Sequence, residues 1–87
     1  MGDNKIVLVV EDDEGILEGL KELLEEAGYA VKTACDGLDA LRILRSEVPL
    51  PSVILLDLMM PVMDGYEFRE EQERDSRISN IPILIMT

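Results

Sequence analysis

Four short segments of the chain have the composition of β-strands. They are Lys5–Val10, Tyr29–Ala34, Ser52–Leu56 and Ile81–Met86. The first and third are continuous apolar runs, a pattern typical of strands that are buried on both faces of a parallel sheet. Each of these two runs ends abruptly at an acidic residue, Glu11 after the first and Asp57 after the third. We therefore expect Glu11 and Asp57 to stand at the carboxyl ends of two buried strands.

Apolar residues recur at helical spacing between the predicted strands. The stretch Glu14–Ala27 has this pattern, with Asp13 available as its N-cap and Gly28 just past its end. A second helix is predicted after Asp36, and Pro49 and Pro51 stop it. Its expected buried stripe consists of Leu38, Leu41, Leu44 and Val48.

A third helix is predicted to begin near Asp64, which is better explained as an N-cap than as a ligand. Between Glu67 and Arg77 the only large apolar residue is Phe68, so most of this helix should face water. The alternation of strands and helices indicates the α/β class, with an open parallel sheet and right-handed crossovers. In such sheets ligands bind at the carboxyl ends of the strands, so Glu11, Asp12 and Asp57 are the first candidates for chemistry.

The composition describes one small acidic domain. The 87 residues are too few for a two-domain enzyme, and 47% of them are hydrophobic, which lies within the globular range. Nineteen Asp and Glu against eight Lys and Arg give a net charge of −11, which a phosphate backbone or an anionic lipid surface would repel. The longest apolar runs fall far short of the roughly 20 residues of a membrane helix. We therefore expect no nucleic-acid partner and no membrane partner.

Cys35 is the single cysteine, so no intramolecular disulfide can form. The N-terminus lacks the basic-then-apolar order of a secretory signal, and we expect a cytoplasmic protein. No activating neighbour of Cys35 is evident in the sequence, and its side chain is expected to be buried or half-buried.

Three carboxylates that lie close together at the carboxyl edge of the sheet, here called the acidic mouth, cannot all ionise without a cost in free energy. If the first and third strands are neighbours, Glu11, Asp12 and Asp57 converge there, and a cation would relieve their repulsion. Oxygen ligands without histidine or paired cysteine select a hard ion, and a site completed by several waters suits Mg²⁺ better than Ca²⁺. A carboxylate beside Mg²⁺ can also act as a nucleophile towards phosphorus.

The motifs around these acids resemble those of the receiver domain of two-component response regulators. The motifs are Val-Val-Glu11-Asp12-Asp13, then Leu-Leu-Asp57-Leu-Met-Met-Pro61-Val-Met-Asp-Gly65, and finally Ile-Pro-Ile-Leu-Ile-Met-Thr87. The resemblance covers essentially the whole chain, residues 1–87, as a single domain. It implies a flavodoxin-like fold with strand order 2-1-3-4. It also implies that the chain stops after the fourth strand, without the last helix-strand-helix portion of a usual receiver.

The resemblance assigns roles to particular residues. Asp57 would accept a phosphoryl group from a histidine kinase or phosphotransfer protein, in a module that is not itself an enzyme. Asp12 would bind Mg²⁺ directly, as would Asp57, with Glu11 acting through water and Met59 through its backbone carbonyl. Thr87 would be the switch hydroxyl. Pro61 and Gly65 would shape the loop that follows the acceptor.

Simpler explanations compete for several of these residues. Asp13 is better explained as a helix N-cap. For Thr87, a frayed terminus explains the residue as well as a switch hydroxyl does. Met59, Met60 and Met63 are packing residues by default.

Two other functions compete with the receiver interpretation. A Mg²⁺-dependent phosphatase of the haloacid-dehalogenase type would need a second Asp two residues after its nucleophile, where this chain has Met59. A self-associating interaction module without effective phosphotransfer is the stronger rival. The usual fifth-strand lysine is missing, Lys5 lies at the wrong end of its strand, and an apolar fourth strand at the sheet edge invites pairing into a homodimer or larger oligomer.

Overall fold

The computed structural model describes residues 5–86, which form four strands and three helices in strict alternation. The strands are β1 (Ile6–Val10), β2 (Ala30–Ala34), β3 (Val53–Asp57) and β4 (Ile83–Met86). The helices are α1 (Glu14–Glu26), α2 (Gly37–Ser46) and α3 (Gly65–Glu73). All strand pairs are parallel, and their order is β2-β1-β3-β4. The predicted α/β class and strand order 2-1-3-4 are confirmed.

The main core lies on the sheet face that is covered by α2 and α3. Register pairs Leu8 of β1 with Ile54 of β3 and Val10 with Leu56, so these four side chains share one face. Against them pack residues of both helices and of the following loops, including Ala40, Leu41, Leu44, Met60, Phe68 and Ile78. Most of the large side chains that are fully buried lie on this face, and their burial stabilises the packing of the helices against the sheet.

Within residues 5–86, α1 is the helix that covers the opposite face. Val7 and Val9 of β1 are buried there, but α1 itself contains no fully buried residue. Asp13 caps α1, since its Oδ1 accepts from the Ile16 N–H at 3.1 Å, and Gly28 adopts a φ of 99° just past the helix. The capping prediction for Asp13 is confirmed.

The predicted buried stripe of α2 is only half right. Leu41 and Leu44 are buried, whereas Leu38 is 55% exposed and Val48 is 77% exposed. Val48 lies beyond the last residue of α2, so the helical spacing does not extend to it. The buried face of α2 also includes Gly37, Ala40 and Ile43, so it is centred away from Leu38, which lies at its margin.

The third helix is as polar as predicted, but a buried residue was missed. Phe68 is fully buried and Asp64 caps the helix reciprocally with Glu67, as a capping box. Gln72 is also fully buried, although its polarity predicts exposure. Within residues 5–86, none of the helices has the length and apolar content that crossing a membrane requires.

Candidate functional site

Three carboxylates meet at the carboxyl ends of the two central strands. Asp57 is the last residue of β3, and Glu11 and Asp12 directly follow β1. Because Val10 lies beside Leu56 in the parallel register, both strands deliver their acids to the same edge of the sheet. One carboxylate oxygen from each of Glu11, Asp12 and Asp57 lies within 4.8 Å of the other two. The convergence expected from the sequence is therefore present.

The three acids differ in their contact with water. Glu11 is buried, with 6% of its surface exposed, Asp57 is half-buried and Asp12 is exposed. The Glu11 backbone N–H donates to the Ala34 carbonyl at 3.0 Å, which fixes this residue against the end of β2. Glu11 is thus held at the floor of the mouth, and Asp12 stands at its rim.

Burial raises the pKa of the Glu11 carboxyl above its usual range. The negative charges of Asp57 and Asp12 raise this pKa further. A hydrogen bond from the Asp13 N–H to Oε2 of Glu11, at 3.2 Å, acts in the opposite direction. The hydrogen bond from Asp13 therefore does not cancel the effects of burial and of the neighbouring negative charges on the pKa of Glu11.

The donor set fits a hard divalent cation. Three carboxylates converge without a histidine or cysteine ligand among them, and oxygen ligands of this kind are those that Mg²⁺ prefers. The exposed rim at Asp12 leaves room for water ligands, which Mg²⁺ usually retains. Asp12 and Asp57 can supply charge directly, and Glu11 can act through water.

The segment after Asp57 is tied back to its carboxylate. The Met59 N–H donates to Oδ1 of Asp57 at 3.1 Å, so the Met59 backbone lies at the site. That the Met59 carbonyl binds a metal ion stays a prediction. The Met59 side chain is 77% exposed, so its expected packing role is wrong. Met60 is buried in the core and Met63 packs against it, as predicted.

Gly65 allows the loop to return closely to β3. Its N–H donates to the Leu58 carbonyl at 2.9 Å, and a Cβ at this position would lie 2.9 Å from the Leu58 Cα. A larger residue would push the loop outward. The expected role of Gly65 in shaping this loop agrees with these contacts.

A second close approach joins the same loop to α2. The Gly37 N–H donates to the Met63 carbonyl at 3.0 Å, and a Cβ on Gly37 would lie 2.7 Å from that oxygen. Between Pro61 and Met63 the chain turns tightly, with the Met63 N–H donating to the Pro61 carbonyl at 2.7 Å and Val62 at a φ of 68°. The contact was missed from sequence; the only signal was a glycine directly after the capping Asp36.

Cys35 does not match its expected burial. The residue is exposed and lines a groove of about 560 Å³ beside α2 together with Asp36, Leu38, Asp39, Leu41, Arg42 and Arg45. It lies one residue past the end of β2, where the chain leaves the sheet, which explains why its small apolar side chain is not covered.

Two remaining predictions concern positions away from the mouth. Thr87 lies outside the described residues, so its switch role stays a prediction. Lys5 precedes β1, at the end of the strand opposite to Glu11, as expected from the sequence.

Comparison with known proteins identifies the family. The model of the response regulator receiver domain matches residues 7–87. The alkaline phosphatase synthesis transcriptional regulatory protein PhoP of Bacillus subtilis is 40% identical over 84 residues, which are 97% of this chain and 33% of that protein. The chain belongs to the response regulator receiver domain family.

Solved structures give the same result. The N-terminal domain of a response regulator receiver protein from Methanoculleus marisnigri JR1 has a TM-score of 0.87 and 38% identity, covering 94% of this chain and 65% of that one. The phosphorylated cyanobacterial phytochrome response regulator RcpA has a TM-score of 0.85 and 31% identity, covering 95% and 64%. The chain thus spans about a third of the length of PhoP and about two thirds of these solved chains.

Proposed function

We propose that this chain accepts a phosphoryl group on Asp57 from a histidine kinase or phosphotransfer protein, in a Mg²⁺-dependent reaction. The observation that carries the proposal is the meeting of Glu11, Asp12 and Asp57 within 4.8 Å at the carboxyl ends of β1 and β3. Membership of the receiver family and the similarity to a phosphorylated response regulator support it.

In the proposed reaction an Oδ atom of ionised Asp57 attacks the phosphorus of a phosphohistidine. A P–O bond to Asp57 forms while the P–N bond to the imidazole breaks, and the freed imidazole nitrogen later takes up a proton. The Met59 N–H, which already donates to Oδ1 of Asp57 at 3.1 Å, orients the carboxylate so that its other oxygen can attack. The chain acts here as a phosphoacceptor and has no catalytic cycle on a separate substrate.

Asp12 and Asp57 would hold Mg²⁺ directly, with the Met59 carbonyl, and Glu11 through water. When bound, Mg²⁺ neutralises charge on the oxygens of the transferring group. Burial is the main cause of the raised pKa of Glu11, and the negative charges of Asp57 and Asp12, which a divalent cation would offset, raise it further.

Treatment with acetyl phosphate and Mg²⁺, followed by peptide mass spectrometry, tests the proposal. One phosphoryl group should appear on the peptide that contains Asp57, and Asp57→Asn should abolish it. Asp64→Asn is the matched control, because asparagine also caps helices and this acid lies in the following loop. A stable adduct on another residue, or an unchanged adduct in Asp57→Asn, would contradict the assignment.

Self-association without effective phosphotransfer is the second candidate function. It is favoured by the apolar side chains that β4 exposes, since Leu84 and Ile85 are exposed by 58% and 50%. Exposed apolar side chains that lie side by side can form part of an interaction surface.

A further inference from the structure

The backbone is strained at Val62, in the loop between β3 and α3. The Met63 N–H donates to the Pro61 carbonyl at 2.7 Å, and Val62 between them has a φ of 68°. A hydrogen bond of this kind around a residue with a positive φ defines the rare and strained type of γ-turn. Among residues 5–86, Val62 is the only non-glycine residue with a positive φ, and its branched Cβ makes this conformation especially unfavourable.

Packing of the Val62 side chain does not offset this strain. The side chain is 74% exposed, so it adds little apolar burial to the fold. Glycine or asparagine would adopt the same backbone conformation more easily. A strained backbone persists only where the surrounding structure holds it, and such residues cluster at functional sites. The contacts that hold the loop are therefore the place to look for the role of Val62.

Hydrogen bonds on both sides of Val62 hold the loop in this conformation. After Val62, the Met63 carbonyl accepts from the Gly37 N–H at 3.0 Å. Before it, the Met59 N–H donates to Oδ1 of Asp57 at 3.1 Å. Of these two bonds, only the one to Asp57 has an acceptor whose charge would change when a phosphoryl group is added. The strain at Val62 is thus tied to the chemical state of Asp57.

We propose that Val62 is a positioning residue whose backbone strain is held by ionised Asp57 and is released when Asp57 is phosphorylated, an inference that rests on the phosphoacceptor role of Asp57. A hydrogen bond to an ionised carboxylate is about twice as strong as one to a neutral acceptor. Once one Oδ atom is bonded to phosphorus, the other is the carbonyl oxygen of an acyl phosphate and carries no formal charge. The bond from the Met59 N–H then weakens, and the turn at Val62 can relax.

Strain of this kind has a defined effect on phosphorylation. Because the strain is present before the phosphoryl group is added and absent afterwards, it favours the phosphorylated state. By thermodynamic linkage, a substitution that relieves the strain in the unphosphorylated protein makes phosphorylation less favourable by the same factor. A residue that only shapes the loop would not have this effect, which separates the proposal from a purely structural role of Val62.

A double-mutant cycle measured by urea unfolding tests the link between Val62 and Asp57 without any ligand. Val62→Gly should raise the folding equilibrium constant roughly threefold or more, because the relief of strain exceeds the added freedom of the unfolded chain. In an Asp57→Ala background, which lacks the acceptor of the Met59 N–H, the same change should stabilise the fold less, since the turn has already relaxed. Val62→Thr is the matched control, because it keeps the branched Cβ, and it should leave stability unchanged in both backgrounds.

Titration with beryllofluoride in the presence of Mg²⁺ tests the effect on the site, because beryllofluoride binds a carboxylate oxygen as an analogue of the phosphoryl group. Val62→Gly should bind it roughly threefold more weakly than the wild type, or weaker still, by the linkage described above. Val62→Asn should behave like Val62→Gly, since asparagine also adopts a positive φ but lacks the flexibility of glycine. Val62→Thr should bind beryllofluoride like the wild type.

Additive effects of Val62→Gly and Asp57→Ala on stability would overturn the proposal. Equal affinities of the wild type and Val62→Asn for beryllofluoride would overturn it as well. If the wild type bound no beryllofluoride while the cycle showed coupling, the phosphoacceptor proposal would fail and the link between Val62 and Asp57 would stand. The two proposals can therefore fail separately.

Discussion

The thiol of Cys35 is exposed but lies in an unfavourable electrostatic setting. Partial burial raises its pKa, and the negative charges of Asp36 and Asp39 raise it further. Both acids have structural tasks there, because Asp36 caps α2 and an oxygen of Asp39 accepts from the Cys35 N–H at 3.2 Å. Exposure alone therefore does not make this cysteine reactive, since the thiolate is the nucleophile.

We expect alkylation of Cys35 by iodoacetamide to follow a pH profile shifted to higher pH than that of a free peptide thiol. A raised pKa lowers the thiolate fraction at neutral pH, so the reaction should be slower there and should recover as the pH rises. Asp36→Asn keeps a capping residue and removes one negative charge, so it should move the profile back towards lower pH. Glu26→Gln, on the exposed end of α1, should leave the profile unchanged; a shift as large as that of Asp36→Asn would contradict the local origin.

The roles of single acids were predictable where a capping or strand-end rule applied. Asp13 and Asp64 precede predicted helices, and both cap them. Glu11, Asp12 and Asp57 could be placed together once two apolar runs were recognised as parallel strands. The exposure of Cys35 and Met59 could not be predicted, because it depends on how far the neighbouring loops extend over each side chain.

Among the elements, α3 shows how a polar helix is held against an apolar sheet. Gln72 is fully buried, and its Nε2 donates to the Ile78 carbonyl at 2.9 Å and to the Ile81 carbonyl at 3.1 Å. Its Oε1 accepts from Arg69 at 2.7 Å. The side chain thus joins α3 to the segment that leads into β4, supplying contact that Phe68 alone does not provide.

Gln72→Leu should lower the free energy of unfolding by about 1–3 kcal/mol, because it removes the donor from two carbonyls in the interior. Gln72→Glu should be more damaging, since a carboxylate would face the same two carbonyls. Glu70→Leu is the control, an exposed position of the same helix, and should change stability by less than about 0.5 kcal/mol. Urea unfolding of the three variants measures the difference, and wild-type stability in Gln72→Leu would show that these hydrogen bonds are unimportant.

The elements themselves were largely predictable, and their packing was less so. Apolar runs and caps locate all four strands and the first two helices to within about two residues, a usual boundary error. For α3 only the start near Asp64 was predicted, and its end at Glu73 was not. The prediction that Leu38 and Val48 belong to the buried face of α2 was wrong, because more than one set of apolar residues in this helix fits helical spacing. Gln72 was missed because burial of an amide depends on carbonyls that lie six and nine residues further along the chain.

At the scale of the whole molecule, we expect the acidic mouth to link stability to Mg²⁺ concentration. The three carboxylates belong to two strands that are far apart in sequence, so they converge only in the folded state. A ligand that binds the folded state alone stabilises it in proportion to the logarithm of its concentration. Mg²⁺ should therefore act on the entire fold, although it contacts one edge of the sheet.

At about ten times its dissociation constant, Mg²⁺ should stabilise the fold by about 1.4 kcal/mol, which raises the melting temperature by roughly 6–11 °C in a domain of this size. Asp12→Asn should lose most of this increase and should be slightly more stable than wild type without Mg²⁺, because one repulsive charge is gone. Asp13→Asn keeps the cap of α1 and should retain the increase. Thermal melts in Mg²⁺ and in KCl at the same ionic strength measure the effect. If Mg²⁺ raised the melting temperature of Asp12→Asn as much as that of the wild type, Asp12 would not belong to the site.

The hydrogen bond between Gly37 and Met63 has a mechanical consequence. It fastens the loop after Asp57 to the first turn of α2, with no space for even one methyl group between them. The loop and the helix can therefore shift only together, or after this bond has been broken. We therefore expect a displacement of the loop after Asp57 to be transmitted to α2 through this contact.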